Sequence, residues 1–287
     1  KLAYGEYLQY IVSMNTNELE MSQIVDYYYP IWDNAPSKSI HYIAGIEKRI
    51  TESLKLSVDA YYKDILNTYT FDINQSEIEA FSFSNRLEYG RGNAYGLEFY
   101  LQGKFKKVSG WVSYSLAWAS RQYPESSIND GDEFPFDYNR RHTFKMVMNN
   151  QLTRNFALNS SILVRSGIPR SIETTTQSFY QYDPISNEVG YFPLYASSDK
   201  NAALMPPQIN FDISIKKRLV SGPGKQLADL LNADASFVTV TIRNILFLYR
   251  NVEYYYPGTF TETYYDKYIP FGSNYLPRVG ISYTLKF

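Results

Sequence analysis

"AYGLEFYLQGKFKKVSGWVSYSLAWAS" runs from Ala94 to Ser120. Tyr95, Leu97, Phe99 and Leu101 take every second position, with Gly96, Glu98, Tyr100 and Gln102 between them. Successive side chains of an extended chain point to opposite faces, so this period of two reads as one long strand with an apolar and a polar side. "FKKVSG" at 105–110 is short and polar enough for a tight turn, after which 110–122 returns as a second strand. The unit is a hairpin of unusually long arms.

The same rhythm recurs along the chain. Strands are expected near 2–14, 39–50, 54–70, 93–105, 110–122, 142–152, 155–168, 208–218, 236–247 and 278–287. In "LKLSVDAYYKD" Leu54, Leu56, Val58, Ala60 and Tyr62 alternate with polar partners, and in "QINFDISIKK" Ile209, Phe211, Ile213 and Ile215 do so. "FVTVTIRN" offers Val238, Val240 and Ile242, and the final "RVGISYTLKF" offers Val279, Ile281, Tyr283, Leu285 and Phe287. A soluble antiparallel sheet alternates in this way too. Two features argue against it. The strands are long beside the usual five to six residues, and the connections alternate between tight turns (50–53, 105–110, 152–155) and long loops (15–38, 71–92, 123–141, 169–207, 248–277). That asymmetry is the pattern of an all-β, antiparallel transmembrane barrel, with Val279 to Phe287 as a lipid-facing row. One short side is longer: 220–236 carries Leu227, Leu230 and Leu231 at helical spacing, expected as a packed cap over the barrel base. Trp111 and Trp118, seven residues apart on one strand, and Tyr61, Tyr62 and Tyr69 are expected at the aromatic girdles.

Composition is compatible with this reading. The chain has 287 residues and a formal charge of -1, with no basic footprint for nucleic acid. It lacks cysteine, which removes disulfides and thiolate chemistry, and has 29 Tyr and 17 Phe at a mean hydropathy of -0.37. No run approaches the roughly 18 apolar residues of a membrane helix, which says nothing about a barrel that shows lipid only alternate side chains.

Chemistry-bearing motifs are sparse. His142 lies five residues after Asp137 in "FDYNRRHTF", beside Arg140 and Arg141. An acid–base pair is one reading, and the weightier one is a charged rim in which Asp137 pairs with an arginine. His41 has no evident serine or ligand partner, and with two histidines in all no metal site or other cofactor is expected. G-x-S-x-G, H-E-x-x-H and P-loop patterns do not occur. "GRGNAYG" at 90–96 reads as turn chemistry. Asp130, Asp132 and Glu133 offer carboxylates for Ca²⁺ without EF-hand spacing. The best ligand- or partner-binding candidates are loop aromatics: Tyr27, Tyr28, Tyr29 and Trp32, then Tyr254, Tyr255, Tyr256, Tyr264 and Tyr265. Self-packing of the loops explains them equally well.

Taken in order, "YGEYLQY", "DYYYPIWDNAPSKSIHYIAGIEKRI", "LSVDAYYKDILN", "GRGNAYGLEFYLQ", "GWVSYSLAWASRQY", "FPFDYNRRHTF" and "RVGISYTLKF" resemble the C-terminal half of a TonB-dependent outer-membrane receptor. The likeness is to the Bacteroidetes type with a carboxypeptidase-regulatory-like N-terminal domain, and it spans nearly the whole chain. The resemblance implies a 22-stranded barrel filled by a plug, of which residues 1–287 are the last ten or so strands, the chain starting within a longer polypeptide. It implies energy-coupled import of a nutrient (chelate, oligosaccharide or peptide) without covalent catalysis, in the outer membrane of a Gram-negative cell with the C-terminus periplasmic. Implied partners are outer-membrane lipid, TonB through the missing N-terminal region, and the barrel assembly machinery, which reads the terminal Tyr283, Leu285 and Phe287. A rival expectation is a scaffold subunit docking a surface lipoprotein, and a weaker one a self-sufficient ten-stranded barrel enzyme.

Overall fold

In a computed structural model the described residues are 1–14, 27–31, 34–71, 87–126, 128–171, 173–183, 188–197, 199–246, 253–255, 269–271 and 277–287. Ten strands form one antiparallel sheet: β1 (Leu2–Gln9), β2 (Ser37–Thr51), β3 (Leu54–Phe71), β4 (Leu87–Phe105), β5 (Val108–Gln122), β6 (His142–Thr153), β7 (Phe156–Arg165), β8 (Gln208–Leu219), β9 (Ala235–Arg243) and β10 (Arg278–Lys286). Each pairs with its neighbour in sequence, from β1 at one edge to β10 at the other, and Phe134–Pro135 adds a two-residue strand beside β5. Among the described residues no pairing joins β10 to β1. The chain is thus all-β, a long meander whose only described α-helix is α1 (Pro223–Leu230).

Two-residue turns close the short side, at Glu52–Ser53, Lys106–Lys107 and Arg154–Asn155. Some boundaries differ from expectation. The first strand is not continuous over 2–14: the chain bends at Tyr10, and Ile11–Met14 pairs instead with Tyr27–Pro30 in a separate ribbon. The expected 236–247 strand ends at Arg243, where Asn244 enters the left-handed region at φ 55°. The long 169–207 connection contains its own hairpin, Glu173–Asp183 with Glu188–Ser197. "GRGNAYG" is no turn but the middle of β4. A side chain at Gly96 would sit 2.6 Å from Leu116 O and 2.8 Å from Tyr61 Oη. The glycine is therefore needed for close approach of the Tyr61 ring.

Register sorts the side chains. One row of cross-strand partners reads Ile46, Val58, Phe99, Tyr114, Phe144, Val164, Ile209 across β2 to β8. Another reads Phe105, Val108, Asn150, Leu158, Ile215, Val240, Ile281 across β4 to β10. On the opposite face a row reads Asp59, Glu98, Ser115, Thr143, Arg165, Gln208. One face is mainly apolar across the sheet, interrupted at Asn150, Ser160 and Lys217, and the other is mainly polar.

Among the described residues no second layer covers the apolar face. The buried apolar side chains among the described residues are Ile31, Tyr69, Tyr123, Phe134, Ala228, Ala233 and Ala235, whereas Leu2, Ile46, Phe99, Val279 and Ile281 lie exposed. The accessible surface is 19908 Å², against about 12,600 Å² for a compact protein of this mass. A sandwich would bury this face against a second sheet. Among the described residues this sheet has no such partner layer.

Rows climb relative to the turns. Leu54 opens β3, yet Ile213, five strands along in the same row, stands six residues in from Leu219. That stagger is about 1.2 residues per strand, which at about 3.4 Å rise and 4.8 Å spacing tilts the strands by roughly 40° from the perpendicular to the line of turns.

Candidate functional site

The apolar face has a defined upper edge. Tyr4, Tyr42, Tyr62, Tyr95 and Trp118 are cross-strand partners in β1 to β5, forming one row of rings. Centroids are 5.4, 6.3, 6.5 and 5.2 Å apart, and the Tyr95–Trp118 pair stacks within 10° of parallel. The Arg141 guanidinium closes the row, 4.4 Å from the Trp118 centroid. The next row outward is polar in four of its five members, reading Glu6, Ile40, Asp64, Asn93 and Ser120. From that row Glu6 pairs at 2.7 Å with Lys38, one row further out. Below the lowest apolar row come the charged turns. Tyr95 to Phe105 spans ten residues of β4, about 34 Å along the strand and roughly 26 Å across the belt at the tilt above.

The two tryptophans do not share this edge. Seven residues apart on one strand, they face opposite ways: Trp118 belongs to the row, while Trp111 lies on the polar face against Tyr100 at 5.9 Å. Tyr61 and Tyr62 divide likewise, Tyr62 in the row and Tyr61 beneath Lys63 on the polar face. Tyr69 is buried against Tyr89 above it. Its face is restored by a bulge at Asn67, φ 54°.

At the long-loop end, two connections pack together over β5 to β7. Tyr123 and Phe134 are buried and stack at 6.1 Å, and the Arg121 guanidinium lies 4.1 Å from the Phe136 centroid. Asn139 Oδ1 accepts from Ala119 N at 3.0 Å and holds the loop to its strand. Asn201, 5% exposed, donates to Pro135 O (2.8 Å) and Asp137 Oδ1 (2.7 Å), and Asn129 Nδ2 donates to Lys200 O (3.1 Å). Asn129 and Asn201 both have positive φ, 48° and 61°, which asparagine tolerates. Burial pushes the Tyr123 phenol above its ordinary value. Arg140 donates to Ser166 O at 2.9 Å, and burial, then the nearby Arg165 charge, lowers its pKa.

The expected residues fare unevenly. Asp137 bonds Asn201, so the expected arginine partner is replaced by an amide, and His142 Nδ1 meets Tyr114 Oη at 2.8 Å instead of a carboxylate. His41 does have a serine: Ser39 Oγ lies 2.8 Å from Nε2, with the Tyr7 ring 4.6 Å away. Neither imidazole is hydrogen-bonded to a carboxylate among the described residues, so no nucleophile–base–orienter set is assembled there. Asp130 and Asp132 flank Gly131 on an exposed turn, and with Glu133 they do not converge as a ligand set among the described residues. Tyr27, Tyr28 and Tyr29 form the backbone of the Tyr27–Pro30 strand, and Tyr254 and Tyr255 that of Glu253–Tyr255, paired with Ile269–Phe271. Trp32, Tyr256, Tyr264 and Tyr265 lie outside the described residues. Tyr283, Leu285 and Phe287 share the apolar row of β10, and Phe287 is largely exposed. The α1 leucines are not a packed cap. Leu227, Leu230 and Leu231 are exposed, while Ala228 takes the buried position.

Sequence reading missed Tyr4, Tyr42, Tyr95 and Arg141 as one feature. Each was visible singly, but only register aligns them. No known protein family, curated protein or solved structure matches this chain.

Proposed function

We propose that this chain forms part of the wall of a plugged outer-membrane β-barrel that imports a nutrient by TonB-coupled transport. The apolar belt carries the reading. It runs over ten strands with no second layer packed on it among the described residues, is edged by aromatic rings and charges, and has a height of roughly 26 Å beside the about 25 Å band of transmembrane barrels. The tilt of roughly 40° also falls in their range of about 35–45°. In water such a face is costly, and in hydrocarbon it is matched to its solvent.

In that setting the polar face lines the lumen, with Asp59, Glu98, Lys145 and Arg165 solvated there. The edges β1 and β10 need strand partners, because unpaired backbone groups are not tolerated in lipid. For a barrel of about 22 strands, about twelve more complete the wall around a plug. The chain's own part in transport is to present loops at the outer mouth and a rigid polar wall, with no bond made or broken.

Two measurements together test this. Single cysteines at Lys200 and Lys106, in the intact protein, are treated on whole cells with a membrane-impermeant maleimide. Labelling at Lys200 alone, extending to Lys106 once the outer membrane is permeabilised, is expected; equal labelling from outside contradicts the topology. Uptake of iron chelates, cobalamin, oligosaccharides and peptides is then compared in cells with and without the protein. Import predicts a difference for one class that an uncoupler abolishes, and an uncoupler-insensitive difference contradicts energy coupling.

A further inference from the structure

Helix α1 follows β8 on the short-turn side, where two residues suffice elsewhere. Gly222, at φ 85°, turns the chain, and Pro223 starts the helix, where its missing N–H costs nothing. The side of the sheet on which the helix rests is fixed by Tyr283. Its phenol donates to Gly224 O at 2.7 Å, and Gly224 stands against Leu219 and the Tyr283 ring. Tyr283 pairs with Val238 in the apolar face and follows Ile281 along the exposed row of β10. The helix therefore lies against the belt side of the sheet, at its lower edge, and not across the polar face.

At 100° per residue Leu227, Leu230 and Leu231 form one stripe, with Lys225 and Asp229 on the far side as an ion pair. Leu230 is 78% exposed, and Leu227, Leu231 and nearby Val220 are exposed too. Eight residues are too few for a helix to hold itself in water, and these leucines gain nothing there. Lys217, in the apolar face just below Ile215, adds a cation at the same level, placed to reach headgroup phosphates while its stem lies on the belt.

We propose that α1 is an interfacial membrane helix, lying in the plane of the leaflet on the short-turn side with its leucine stripe at the headgroup–acyl boundary. The inference rests on the membrane reading of the belt. Such helices combine an apolar stripe with a charged face and sink by about 5–10 Å. Continuity with the belt selects lipid over a protein partner: the helix is seated through Gly224 on Leu219 and Tyr283, both on the belt face.

These 287 residues contain no cysteine, and any cysteine elsewhere in the intact protein is first replaced by serine. Leu230→Cys, Asp229→Cys and Ile281→Cys are made singly in the intact protein, labelled with bimane and reconstituted in phosphatidylethanolamine–phosphatidylglycerol vesicles. Leu231→Cys serves as a second stripe position, and the exposure of all four argues that they fold. Quenching by lipids brominated near the headgroup end of the acyl chain is expected at Leu230 and Leu231, quenching by deeply brominated lipids at Ile281, and quenching by aqueous iodide at Asp229. If Ile281 is quenched by lipid but Leu230 and Leu231 by iodide, the interfacial helix is wrong and the belt stands. If the stripe is reached by neither quencher, protein covers it and the inference is overturned. If Ile281 itself is reached only by iodide, the membrane reading falls with it.

Discussion

Phe99 stands near the middle of the belt, between Tyr95 at the aromatic row and Phe105 at the turn, with Val58 and Tyr114 as cross-strand neighbours. Its side chain is 40% exposed. In a water-facing sheet, replacing such a residue by arginine changes stability by about 0.5 kcal/mol or less. In a bilayer the same arginine sits close to the midplane, where it costs about 2–4 kcal/mol, falling to about 0–1 near the interface. Phe99→Arg is therefore expected to shift the folding equilibrium by roughly 30- to 800-fold. Tyr95→Arg, about 10 Å nearer the edge by rise and tilt, should cost far less, and Tyr100→Arg, one residue away on the polar face, close to nothing. The assay is guanidinium unfolding of the intact protein from phospholipid vesicles, followed by heat-modifiable gel mobility. Equal costs at Phe99 and Tyr100 would refute the assignment of faces. Equal costs at Phe99 and Tyr95 would refute the depth of the belt.

Gly96→Ala brings a methyl against Leu116 O and Tyr61 Oη, neither of which can retreat freely, and should destabilise by about 1–3 kcal/mol in the same assay. Asn201→Ala removes the bonds to Pro135 O and Asp137. A loss of about 1–3 kcal/mol confined to the loops should appear as faster hydrogen exchange at 199–205 and 134–139, with β3 to β5 unchanged. Burial holds the Tyr123 phenol above its ordinary 10.0, so its contribution is complete below that value and is lost as pH rises through the folded value. Alkaline melts of the wild type should show a loss that Tyr123→Phe lacks, and absorbance near 295 nm should show one late-titrating tyrosine fewer in that variant.

The number of main strands and most of their ends were legible because period-two alternation is local, Tyr95 to Leu101 declaring their face without knowing what they pair with. The strand expected at 93–105 starts six residues earlier, and the one expected over 2–14 ends five residues sooner. The opposite faces of Trp111 and Trp118 followed from the same parity, which a count of seven along the strand supplies. Two things were not legible. The aromatic row depends on the stagger of five strands, and stagger is a tertiary quantity set by turn lengths and bulges such as that at Asn67. The loop cluster depends on Asn129 and Asn201 meeting backbone carbonyls from other connections, which spacing in the chain does not encode. The helix at 223–230 was legible as a helix, yet its partner was not, because three leucines at helical spacing announce an apolar stripe without naming what covers it. The interior of β4 misled for the opposite reason. Glycines in "GRGNAYG" signal a turn locally, but here they make room for the Tyr61 and Tyr123 rings across a strand.

A nitroxide scan along β4, one cysteine at a time from Tyr95 to Gln102 in the vesicle-reconstituted protein, asks whether the apolar face meets lipid. Collision with dissolved oxygen should peak at Tyr95, Leu97, Phe99 and Leu101, and collision with an aqueous nickel chelate at Gly96, Glu98, Tyr100 and Gln102, with greatest depth at Phe99 and Leu101. A nickel chelate that reaches Phe99 and Leu101 as freely as Tyr100 and Gln102 would contradict a lipid-facing belt.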